Sequence, residues 1–190
     1  MKIVSFYSDE KSLIRKAIAG DQVAQRRIYE QHAPRMLSVC RQYIRDLHFA
    51  EDVMVQGFVK VFSNLEQFRH EGSFEGWIRR IMVREAISNL RKKQFVVYDE
   101  QLENRAPQVA ARSDSDLQAA YIQNLIDELP EGYKIVFILH VVEGYKHSEI
   151  AELLDISVST SRSQLFKARL MLQDQLKPYK NQGYGTHPMG

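Results

Sequence analysis

The stretch HSEIAELLDISVSTSRSQLFKARLML, His147–Leu172, reads as two helices joined by a short turn, the second of them basic. In the first, Ile150, Leu153 and Leu154 recur at helical spacing and form an apolar face. Asp155 and Ile156 make the turn. Ser157 is placed to cap the second helix, because its hydroxyl can accept one of the backbone N–H groups that a helix start leaves unpaired. Beyond the cap, Val158, Ser161, Leu165, Ala168 and Leu172 return at steps of three and four, which predicts the buried face. The opposite face presents Ser159, Thr160, Arg162, Ser163, Phe166 and Lys167, a donor-rich surface suited to the base edges and phosphates of a major groove, which admits one α-helix. Any small helical bundle could carry such a face toward water, so the neighbouring sequence has to decide.

Working outward, a very apolar helix is expected over Tyr133–Val142, capped by Gly144, and before it a helix from Asp116 with Leu117, Tyr121, Leu125 and Ile126 on one face, stopped at Pro130–Gly132. Upstream of these, ENRAPQVAARSDSD (103–116) is polar, contains a proline and lacks a sustained apolar face, which marks 96–115 as a linker. From Leu13 to about Lys93 the periodicity returns, with helices over Leu13–Ala19, Asp21–Tyr43, Ala50–Phe62 and Phe74–Arg91. Pro34 should kink the second of these or begin a new helix. Alternating strand patterns are nearly absent; FVVY (95–98) is too short to build a sheet. The expectation is an all-α protein of two small helical domains, 13–95 and 116–177.

The chain has 190 residues and 44% hydrophobic residues, enough for real cores, and a net charge of only +2. Its charge is segregated. Arg69–Lys93 holds seven basic residues against three Glu, and Ile156–Lys180 holds five against Asp174, +4 in each case. Between them, Asp99–Glu131 has eight acids against Arg105 and Arg112, giving −6. Two basic blocks thus flank an acidic middle, the distribution expected of a nucleic-acid binder rather than its net charge. The lone Cys40 lies in an apolar helical context and reads as an inert packed thiol. The opening MKIVSFYSDEK turns acidic before an apolar run forms, and the longest apolar run, Ile135–Val142, is far short of the ~20 residues that span a bilayer, so a cytoplasmic protein without membrane insertion is expected.

Residues 125–172, from LIDELPEGYK through the opening stretch, resemble region 4 of bacterial sigma factors. AEDVMVQGFVKVFSNLEQF (50–68) resembles region 2.2, and GSFEGWIRRIMVREAISNLRKK (72–93) resembles regions 2.3 and 2.4. Two matches in this order, with a short linker between, resemble the extracytoplasmic-function (ECF) subfamily over about Leu13–Leu176. The resemblance implies that 13–95 binds core RNA polymerase and opens the minus-ten promoter element, and that 116–177 reads the minus-thirty-five element as duplex. It also implies an anti-sigma factor, held at a membrane, that clamps both domains.

The residues carry chemistry of their own. Val53, Phe58, Val61 and Phe62 are expected to pack, while Glu51, Asp52, Gln56 and Lys60 point outward as a polymerase-docking surface, an acidic pair suited to a basic protein element. Gly57 weakens a helix and marks the close approach of another. In the basic block Trp77, Ile78, Ile81 and Met82 should face the core, and Arg79, Arg80 and Arg84 should spread outward. The loop FRHEGSF (68–74) offers Arg69 and Phe74 to an unstacked base; pulling a base from the duplex costs a few kcal/mol, so its pocket needs stacking and charge. Relatives often carry Asn where Arg84 stands, Gln at Val55, Ser or Thr at Lys146 and an apolar residue at Ser161. Ser148 or water is expected to take over the missing cap at Lys146, and Ser161 can bond back to a carbonyl.

Catalysis is not supported. The six His are scattered, and no ligand-spaced His pair, Gly-rich phosphate loop or nucleophile motif occurs, so neither metal nor cofactor is expected. A helix-turn-helix regulator that binds duplex DNA without entering polymerase has no use for a strand-opening block at 72–93, and a helical adaptor would not explain two basic blocks.

Overall fold

The computed structural model describes residues 3–96 and 114–181, with side chains described over 10–91 and 121–177. The chain divides into two units, Met1–Pro107 and Gln108–Gly190. Among the described residues every regular element is helical, as the periodicity predicts. Most of the expected linker, 97–113, and the tail from 182 lie outside the described residues.

The first unit holds α1 (Ile3–Ile18), α2 (Gln22–Tyr43), α3 (Leu47–Ser63), a 3₁₀ turn (Leu65–Gln67) and α4 (Phe74–Val96). Helix α1 begins ten residues before the expected start at Leu13. It ends in a Schellman motif: Gly20 has φ +86°, the Asp21 N–H donates to the Lys16 carbonyl and the Gly20 N–H to that of Ala17. Asp21 then caps α2, its carboxylate accepting from the N–H groups of Val23 and Ala24. Helix α2 runs unbroken through Pro34, so the proline starts no new helix. The tertiary packing of seven buried positions from Ala24 to Tyr43 outweighs the one backbone bond the proline removes.

Met36, Val39, Val53, Val61, Ile78, Met82 and Val83 form the centre of this unit, each at most 2% exposed. At Gly57 a Cβ would overlap the Met82 sulfur, so this glycine makes room on α3 for a side chain of α4. Cys40 is fully buried and its thiol is pushed up to about 12, first by burial and then by the nearby Glu85 carboxylate, as expected of an inert packed thiol.

The second unit holds α5 (Asp114–Asp127), α6 (Glu131–Phe137) running into a π-helical turn (Ile138–Val142), α7 (His147–Leu154) and α8 (Val158–Asn181). Gly144, at φ +75°, ends the apolar helix as expected, with the Tyr145 N–H donating to the Leu139 carbonyl. Val136, Ile138, Leu139, Ile150, Leu165 and Ala168 form the core. Lys134 is buried among them, with its ammonium paired to Asp127.

Candidate nucleic-acid interface

Helices α7 and α8 make a helix-turn-helix. Its turn is sharpened by Asp155, which sits in the left-handed region at φ 56° while the Ile156 N–H donates back to the Ala151 carbonyl. Ser157 caps α8 as its spacing predicts, Oγ accepting from the Thr160 N–H at 3.0 Å. The start of α7 differs from expectation: Glu149, not Ser148, serves it, its carboxylate accepting from the Lys146 N–H at 2.7 Å.

On α8, Ser161, Leu165 and Ala168 are buried as expected and Leu172 is partly buried, but Val158, the first residue of the helix, is 37% exposed. Ser161 does not bond back to its own helix. Its Oγ pairs with His147 Nδ1 at 2.9 Å, and the His147 ring stacks on His140 with centroids 4.4 Å apart. Burial lowers the pKa of His147, and His140, Arg162 and Arg169 lower it further. The outward residues Ser159, Arg162, Ser163, Phe166 and Lys167 are exposed and Thr160 is half-buried. Several of the hydroxyls are already engaged: Ser157 Oγ pairs with those of Ser159 and Thr160, and Ser163 donates to the Thr160 carbonyl. Lys167 lies over the Tyr133 ring, 5.8 Å from its centre.

In the first unit, Arg69, Arg80 and Arg84 are exposed and Arg79 is half-buried. Phe74, expected to offer its ring to an unstacked base, is 1% exposed, so its ring is packed inside the unit rather than presented at the surface. Its ring packs against Phe68 and His32, and that cluster fixes the loop before α4, where His70 and Gly72 both have positive φ. The surface ring is instead Trp77, half-buried and stacked on Phe74 at 5.9 Å, rather than in the core. Trp77 lines a groove with Lys60, Asn64, Gln67, Arg84 and Glu85. A solvent-edged indole beside an arginine was not separable from a core indole by spacing alone.

On α3, Val53, Phe58 and Val61 are buried and Phe62 partly so; Asp52 and Gln56 are exposed and Glu51 is half-buried near His48. Lys60 is exposed as well, and its ammonium is ion-paired with the buried Glu85 of α4. Val55, singled out in the sequence as a departure from relatives, and Val59, which the sequence reading did not single out, are 48% and 60% exposed and share a stripe with Asp52 and Gln56. Their apolar character off the buried spacing was the available signal. No group of three or more metal-ligating side chains occurs among the described residues.

Two helical units, one with a capped helix-turn-helix and the other with a basic groove edged by an indole, define a helical protein built to meet nucleic acid. The family profile described as Sigma-70 region 2 matches residues 28–96, and Sigma-70, region 4 matches 119–172. RNA polymerase sigma factor SigV of Bacillus subtilis is 31% identical over 137 residues, covering 70% of this chain and 80% of that protein. ECF RNA polymerase sigma-E factor of Haemophilus influenzae is 25% identical over 182 residues, covering 89% of this chain and 96% of that protein. The solved sigma factor RpoE of Bartonella quintana, in complex with the anti-sigma factor NepR, shares the fold at TM-score 0.57 and 21% identity, over 80% of this chain and 96% of its own. The chain belongs to the ECF family of RNA polymerase sigma factors. As such it is not an enzyme: it binds core RNA polymerase and directs promoter-specific transcription initiation.

Proposed function

We propose that the two units divide promoter recognition, the second reading the minus-thirty-five element as duplex and the first capturing the opened minus-ten strand. The observation that carries this reading is the face of α8, where Arg162 stands exposed just after the Ser157 cap while the neighbouring hydroxyls bond among themselves. The first turns of a reading helix enter the groove, and a guanidinium fork there can pair with a guanine edge at roughly 1–3 kcal/mol of discrimination. Lys167 lies more than a turn later, so its point charge meets phosphate. Run-off transcription with purified core polymerase tests the assignment. Arg162→Ala is expected to depress transcription chiefly from promoters with the native minus-thirty-five element. Lys167→Ala should weaken all promoters alike and make the salt dependence shallower. An unchanged ranking of minus-thirty-five variants with Arg162→Ala would move base reading to Ser159, Thr160 or Ser163.

In the first unit the groove edged by Trp77 takes the unpaired base and Arg84, Arg80 and Arg69 follow the strand backbone, a stacking surface with adjacent charge. Core polymerase docks on the stripe Asp52, Val55, Gln56 and Val59, with Glu51 at its edge: exposed apolar surface supplies burial and the carboxylate supplies register. Asp52→Arg is expected to weaken binding to core polymerase about tenfold or more by placing like charge against a basic element, without loss of helical content. Titration of labelled chain with core enzyme checks this, and an unchanged affinity would remove Asp52 from the interface.

No described helix is long and apolar enough to cross a membrane. Action in the cytoplasm, where polymerase is, follows from the function, and an anti-sigma factor is the partner that its solved relative's complex suggests.

A further inference from the structure

Glu85 is a carboxylate buried in the first unit. It is 3% exposed in the middle of α4, among positions filled by Met82, Val83, Ala86 and Ile87. A carboxylate is costly to take out of water, and an apolar side chain of similar volume usually serves stability as well or better. Its partners face one way. One oxygen accepts from Asn89 Nδ2 at 3.1 Å, and the other is ion-paired with Lys60, whose own side chain is 55% exposed. Asn89 is itself steadied by the Glu85 carbonyl at 3.0 Å and lies 3.5 Å from Gln56 Oε1. A lysine so exposed would otherwise sweep through water on four rotatable bonds; here its ammonium is tied down in the groove that Trp77 and Arg84 line.

Resting on the strand-capture reading of that groove, we infer that Glu85 is a positioning residue: it holds Lys60 in place so that Lys60, which lines the groove together with Arg84, is a second cation for the captured single strand. Lys60 thereby belongs to the DNA groove rather than to the polymerase-docking face of α3. The carboxylate does not touch DNA; it orders the ammonium before the strand arrives, so the ordering cost of that long side chain is not charged to binding.

The inference predicts an effect opposite in sign to simple electrostatics. Removing a negative charge beside a DNA groove should strengthen binding if Glu85 acts only as a charge. If it positions Lys60, Glu85→Gln weakens binding by about two- to tenfold, the weight of ordering one long side chain, although it raises the net charge. The measurement is fluorescence anisotropy of holoenzyme on a labelled mixed-sequence single-stranded DNA 20-mer, for wild type, Glu85→Gln, Lys60→Gln and the double variant. The double variant should bind like Lys60→Gln alone. Glu85→Met, which removes the buried charge and leaves Lys60 free to solvate, should unfold in urea at or above the wild-type midpoint yet bind the strand as weakly as Glu85→Gln, a split that a purely structural role would not produce. It also carries the test if Glu85→Gln does not fold. Tighter or unchanged strand binding by Glu85→Gln or Glu85→Met, or additive losses in the double variant, overturns the inference. Arg84→Ala and Trp77→Ala separate the two levels: if they weaken strand binding and the Glu85 variants do not, the positioning role falls while the groove stands, and if they change nothing the groove and the role fall together.

Discussion

Phe74→Ala is expected to lower the stability of the first unit by about 3–5 kcal/mol, the range for truncating a buried phenylalanine. The ring is 1% exposed and touches aromatic neighbours on three sides, with Phe68 at 5.1 Å, Trp77 at 5.9 Å and His32 at 5.6 Å. The loop leading into α4 is also held by Ser73, whose Oγ accepts from the Gly76 N–H and whose carbonyl accepts from the Trp77 N–H, and by Phe68 against His70, while His70 and Gly72 sit at positive φ. Truncation therefore opens a cavity and also loosens the support beneath Trp77. Urea unfolding followed by circular dichroism should show the transition of this unit moving to lower denaturant, with Phe74→Leu recovering most of the loss because it refills the volume. A midpoint unchanged in Phe74→Ala, with single-strand binding lost, would instead return this ring to the DNA surface.

The second large effect belongs to the other unit. Lys134 is 5% exposed, and its ammonium reaches Asp127 at the end of α5. Asp127→Ala leaves a cation in the core without its carboxylate, a change that costs about 3–5 kcal/mol for a buried pair. The lower end applies, because the Asp127 side chain is 24% exposed and water can partly take its place. Replacing both partners, as Asp127→Leu with Lys134→Met, should restore stability to near wild type or above it, since two apolar groups need no partners. Urea unfolding of the three proteins decides the matter: a double variant no more stable than Asp127→Ala would show that the pair is not the source of the loss. If the pair holds α5 against α6, Asp127→Ala should also impair transcription from all promoters alike, whatever their minus-thirty-five sequence.

What could be read without coordinates was whatever the chain writes within a few residues of itself. The Ser157 cap, the turn at Asp155, the buried run of Leu165 and Ala168 and the Gly144 stop are all local, and each depends on backbone groups or side chains within a turn or two. Gly57 belongs with them, since a glycine inside an otherwise good helix already implied a close neighbour. Spacing failed at the start of a helix. Val158 has core spacing, yet at the first position of α8 it stays exposed, while Val55 and Val59, off the buried spacing, are exposed as that spacing implies.

The chain by itself therefore determined the all-helical class, the order of the elements, the two basic blocks and the polar outward face of α8, because helical periodicity and capping are short-range properties. Only the tertiary structure decided which aromatic ring is core and which is surface, since Phe74 and Trp77 differ by a single turn of one helix and are told apart by what packs over them. It alone joined Gln56 to Asn89, 33 residues away, Ser161 to His147, Lys134 to Asp127 and Lys60 to Glu85. Such pairs leave no periodic trace: a polar residue at a core position reads as an isolated exception until packing brings its partner within hydrogen-bonding distance, and desolvation then makes that partner indispensable.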